Sequence, residues 1–276
     1  MSILKRAGLA VFSIISMSAM ASPGLAHEFW IAPEQWQAPA QQALKVRLLI
    51  GTNFKGFQRI YLPARFSRFD LTGPRSQRDF IGRLGDRPAG QITPQDQGLH
   101  IIRHITTAET LDYDDLEKFK TFTKNKGLVD AISQHRKRQL PETGFVEHYM
   151  RFAKSLVAIG HADGEDQVLG MAVEITAMEN PYQINQDHLV LRLDRDGKPW
   201  ANTQVMVFTK PMGQAADDAV IIDKYRTDGV GRVTITTRRG HMHLVDAVSL
   251  SPIDADGNKD GAVWLSRWAS LTFARP

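Results

Sequence analysis

Apolar and polar positions along this 276-residue chain change their period twice. Over residues 44–50, Leu44, Val46, Leu48 and Ile50 stand against Lys45 and Arg47, and residues 99–105 alternate in a similar way, with Gly and Pro between the runs. A period of two is that of a strand with one buried face, so this stretch is expected to be short strands. The period then lengthens. Asp114 and Asp115 precede Leu116, Phe119 and Phe122 at helical spacing, and Gly127 supplies a stop. Residues 128–137 continue with Leu128, Ala131 and Ile132 on one face, and residues 146–157 place Tyr149, Phe152, Ala153 and Leu156 where a third helix would bury them.

After a polar, Gly-containing stretch over 160–166 the period returns to two. Seven strand-like runs follow, at 168–178, 188–194, 204–210, 220–225, 231–237, 241–250 and 264–273. Asp196-Gly197, Asp228-Gly229 and Asp256-Gly257 mark turns between them. Such spacing predicts an immunoglobulin-like sandwich of about seven strands. The expected fold is therefore mainly β, with two β-sandwich-like parts and a helical insertion between them. Its expected divisions are a signal peptide at 1–26, an N-terminal β part at 27–107, the insertion at 108–160 and the C-terminal sandwich at 161–276.

The first residues carry the parts of a secretory signal. Lys5 and Arg6 precede an apolar run from residue 7 to 20, shorter than the roughly 20 residues a spanning helix needs. Two cuts compete, after Ala21 and after Ala26; the second follows the breakers Pro23 and Gly24 and is preferred. It makes His27 the new N-terminus. The expectation is a periplasmic protein that does not itself span the membrane.

Composition narrows the chemistry. There is no cysteine, which removes thiolate metal sites and cysteine nucleophiles, and the formal charge of +4 is mixed along the chain rather than blocked, against a nucleic-acid partner. The sequence has no G-x-S-x-G elbow, no H-E-x-x-H helix and no phosphate loop, so an enzyme is expected only through a metal.

The opening His27-Glu28-Phe29-Trp30-Ile31-Ala32-Pro33, the block Glu147-His148-Tyr149-Met150-Arg151-Phe152 and the closing Trp268-Ala269-Ser270-Leu271-Thr272-Phe273 carry a resemblance. Together with Gly197-Lys198-Pro199 and Thr227-Asp228, the order resembles a family of periplasmic proteins described as a domain of unknown function or as substrate-specific components of nickel or cobalt uptake. The resemblance implies an exported metal-handling protein, with membrane components of a metal uptake transporter or an outer-membrane receptor as partners.

The residues offer a matching chemistry. With cleavage after Ala26, His27 presents an α-amine, of pKa about 7.7–8.0, together with its ring Nδ1, and the pair chelates one ion. His241 and His243 are i and i+2 on an expected strand and leave the same face, whereas Asp246 falls on the other. The candidate metal ligands are thus His27, His241 and His243, with Asp246 a distant fourth, for a divalent transition metal ion: nickel or cobalt by resemblance, copper or zinc by ligand type. Two other readings stand beside this one: a copper-dependent oxidase with an N-terminal His acting on polysaccharide, and a non-enzymatic β-sandwich interaction module. The remaining histidines, including His100, His104, His135 and His148, are expected to be structural or solvated.

Overall fold

A computed structural model describes residues 27–213, 220–254 and 259–276. The expected signal peptide and the Asp256-Gly257 turn lie outside the described residues. Among the described residues the fold is mainly β, 52% strand and 8% helix, with no barrel.

In chain order the strands of the first half are β1 (Glu28–Pro33), β2 (Gln37–Ala38), β3 (Leu44–Thr52), β4 (Lys55–Arg59), β5 (Phe66–Thr72), β6 (Gln77–Asp79), β7 (Gly90–Ile92), β8 (Gly98–Thr106) and β9 (Glu109–Tyr113). Helices α1 (Leu116–Asn125) and α2 (Ala131–Lys137) follow, then the long β10 (Phe145–Ile159). The second half holds β11 (Val173–Ala177), β12 (His188–Arg195), β13 (Lys198–Pro199), β14 (Gln204–Pro211), β15 (Ile221–Arg226), β16 (Arg232–Thr236), β17 (His241–Pro252) and β18 (Ala262–Arg275). All seven strand-like runs of the second half contain a strand.

A ten-stranded sheet, ordered β15-β14-β17-β18-β10-β8-β5-β6, runs through both halves of the chain, with β2 and β9 also paired to β10. Its centre is a parallel pairing of β10 with β18, from Val146↔Ala262 to Ser155↔Thr272. Each face has its own cover. The sheet of β11, β12, β13 and β16 closes one face over a core that includes Phe152, Leu156, Ile175, Leu191, Val245 and Leu271. The sheet of β1, β3, β4 and β7 covers the other over Ile31, Val46, Leu48, Ala153 and Val157. The two sandwiches thus share one central sheet.

The predicted third helix over 146–157 is corrected: those residues form the strand β10. Phe152 and Leu156 enter one core while Ala153 and Val157 enter the other. A strand buried on both faces has no polar face to reveal a period of two, and its apolar run is indistinguishable from a buried helix by periodicity. The first two helices agree with expectation. Asp115 caps α1 by accepting from the Lys118 N–H at 2.9 Å, and Gly127, at φ +70°, provides the left-handed residue just past its end. Both helices pack with Tyr113, Phe145, Trp264 and Trp268 against the far end of β17 and β18.

Candidate functional site

The four candidate ligands follow from where β1 and β17 run. His27 immediately precedes β1, which pairs antiparallel with β3 and lies across the face of the central sheet. Its ring is half-buried, and no hydrogen bond from the ring is present among the described residues; its carbonyl accepts from an Arg151 terminal nitrogen at 3.4 Å. Partial desolvation, with Arg151 nearby, holds the imidazole below its ordinary pKa, so it is neutral at neutral pH.

His243 sits differently. Its ring is stacked on Phe273, with centroids 4.9 Å apart, on the face that packs against β11 and β12, and its Nε2 accepts from the Arg238 N–H at 3.1 Å. Burial pushes its pKa down to about 3. His241, at the start of the same strand, is only half-buried and has its Nδ1 2.7 Å from the Arg239 carbonyl.

Asp246 emerges on the opposite face, as the regular strand predicts. It is buried and accepts from Lys126 Nζ at 2.7 Å; the same ammonium donates to Glu28 Oε1 at 3.0 Å. Glu28 also accepts from the Asn53 N–H at 3.3 Å. Lys126 therefore ties the end of α1 to β1 and β17 and engages two carboxylates that could otherwise attract a cation. Among the described residues, no group of three or more His, Asp or Glu is arranged to hold a metal.

Three other histidines have partners within the fold. His104 is enclosed by Phe29, Phe66 and Phe69, with centroids 5.4, 4.5 and 5.2 Å away. Trp264 Nε1 donates to His135 Nδ1 at 3.2 Å, and His148, on β10 rather than a helix, pairs with Asp260 at 2.8 Å.

Several charged residues that sequence reading passed over are buried in the interior. Lys154 is fully buried and held by Asp166 at 2.7 Å and Glu174 at 3.3 Å. Arg151, also on β10, stacks on Tyr149, with its guanidinium 4.9 Å from the ring centroid, and lies 5.7 Å from the Phe29 ring centroid and 5.9 Å from that of Trp268. It has no ion pair within 4 Å among the described residues. Glu147, near the start of the strand, accepts from Tyr113 at 2.8 Å and from Ser266, and burial raises its pKa to about 7. The available signal was the presence of Glu147, Arg151 and Lys154 inside an otherwise apolar run, informative only once that run is read as a central strand.

Residues 24–250 match the family described as Domain of unknown function (DUF4198). No curated protein matches the chain. Among solved structures, an Escherichia coli alpha-2-macroglobulin activated by porcine elastase is 11% identical with a TM-score of 0.23, over 91% of this chain and 20% of that one. A Salmonella alpha-2-macroglobulin reacted with methylamine is 11% identical with a TM-score of 0.22, over 92% and 15%. A DUF3823 family protein from Bacteroides uniformis is 11% identical with a TM-score of 0.21, over 91% and 100%. This chain spans a fifth or less of the length of those two macroglobulins, and likenesses of this size carry no conclusion about fold or function.

Proposed function

The chain belongs to the DUF4198 family, and we propose that it is a periplasmic metal-binding accessory protein of a metal uptake system, capturing a divalent ion through His27. The observation that carries this reading is the state of that residue: a half-exposed imidazole, kept neutral by desolvation and by Arg151, with no internal partner for its ring among the described residues. A neutral ring accepts a metal without first losing a proton. Processing after Ala26 adds the α-amine as a second donor, and the two nitrogens leave most of the coordination sphere open.

Open positions suit capture and hand-over better than storage. Nickel and cobalt are favoured by resemblance alone; an all-nitrogen chelate binds Cu(II) more tightly unless availability intervenes. The proposal centres on His27. His243 has one ring nitrogen engaged and lies in the core, and Asp246 is ion-paired with Lys126.

N-terminal sequencing of protein recovered from the periplasm, followed by calorimetric titration with Ni(II), Co(II), Cu(II) and Zn(II), tests the reading. The expected result is one ion per chain, lost in His27→Ala, lost when one extra residue precedes His27, and retained in His241→Ala. No binding by the wild type, or full binding by the extended form, overturns it.

A further inference from the structure

Beside β1, a cavity of about 240 Å³ opens between the covering sheet and strands β5, β8 and β10 of the central sheet. Its apolar wall includes Phe29, Leu48 and Phe66; its polar wall includes Tyr149, His104 and Arg151. Arg151, one of the lining residues, has its Nε without a hydrogen-bond partner among the described residues. Folded proteins rarely leave a buried donor unsatisfied, and here the donor belongs to a cation that lines a cavity.

Charge decides what kind of ligand. Arg151 is 9% exposed and has no carboxylate within ion-pair distance among the described residues, whereas the buried Lys126 and Lys154 each have two. The one acid on the cavity wall, Glu109, is engaged by the Tyr149 hydroxyl at 2.7 Å and by Arg65 at 3.4 Å. Arg59 adds a further positive charge to the lining. Three arginines against one glutamate leave the cavity with an excess of two positive charges.

We propose that this cavity binds a small organic carboxylate, whose anionic group pairs with the Arg151 guanidinium and whose apolar body packs against Phe29 and Phe66. A planar carboxylate matches the fork of a guanidinium, which supplies two parallel donors. The volume equals about eight water-sized volumes of roughly 30 Å³ each, which suits a molecule the size of benzoate. The site does not depend on the metal reading, since His27 contributes only its carbonyl near Arg151.

The experiment is isothermal titration of the mature protein in chelator with benzoate, benzamide and inorganic phosphate, repeated on Arg151→Lys, Leu62→Trp and His27→Ala. Leu62 lines the same cavity and is half-exposed, so a tryptophan there fills the cavity without rebuilding the core. The expected result is one benzoate per chain, benzamide and Arg151→Lys each weaker by about tenfold or more, no binding by Leu62→Trp, and unchanged binding by His27→Ala. Should Arg151→Lys not fold, Leu62→Trp and the benzamide comparison carry the test. Absence of benzoate binding at millimolar concentration, equal affinity for benzamide, preference for phosphate, or undiminished binding by Leu62→Trp overturns the proposal.

Discussion

Arg151 and Lys154 lie three residues apart on β10 and face opposite covers of the central sheet, yet their surroundings differ in one respect. Lys154 is enclosed by Asp166 and Glu174, and Glu174 also accepts from the Leu169 and Met171 N–H groups at 2.7 and 3.0 Å. Arg151 has aromatic faces and a backbone carbonyl but no counter-ion within 4 Å among the described residues. A buried cation costs several kcal/mol in desolvation unless a partner offsets it. On the Lys154 side the fold provides the offset internally, which is how a structural charge is built; on the Arg151 side it leaves a cavity.

The sharpest way to break this comparison is to remove each cation in turn. Lys154→Met strands two buried carboxylates and is expected to lower stability by about 3–5 kcal/mol in urea denaturation. A cost below about 1 kcal/mol would mean that the paired side is not a structural lock.

Glu147 gives the next largest effect, and it depends on pH. Its folded pKa is raised to about 7 from 4.5, so the folded state holds a proton that the unfolded state releases. Its contribution is fully present below about pH 4.5 and is lost as pH rises to about 7, a change of about 3 kcal/mol. Subtracting the stability profile of Glu147→Gln from that of the wild type should isolate this slope.

Lys126→Met comes third. It leaves Glu28 and Asp246 without their shared cation, but burial already raises the Glu28 pKa, so that carboxyl can take up a proton and soften the loss to about 2–3 kcal/mol. The residual cost should shrink at acid pH, as a denaturation series from neutral to acid would detect.

Arg151→Met is expected to have the smallest effect, within about 1 kcal/mol of wild type in ligand-free protein, because no ion pair is broken and the methionine keeps much of the apolar contact. A loss as large as that of Lys154→Met would show that the aromatic contacts alone make Arg151 a structural residue.

Local chemistry made much of this architecture legible. The Asp115 cap and the Gly127 stop bound α1, and Asp196 and Gly197, both at positive φ, turn between β12 and β13 as the dipeptide predicts. Alternation placed β3, β8 and the second-half strands because each of these signals depends on a few neighbours along the chain. The candidate site was less legible. His241 and His243 share a strand face as spacing requires, but that face of His243 is core, and Asp246 meets Lys126, 120 residues earlier in the chain.

The sequence by itself determined the mainly β class, the first two helices and the order of the later strands, since period, caps and turn residues act over a few positions. Only the tertiary structure decided that β10 is a strand, that both sandwiches share one sheet, and which buried charges find partners. Those outcomes depend on segments 20 to 120 residues apart meeting across two covered faces, and no local period records whether a carboxylate arrives opposite a given cation.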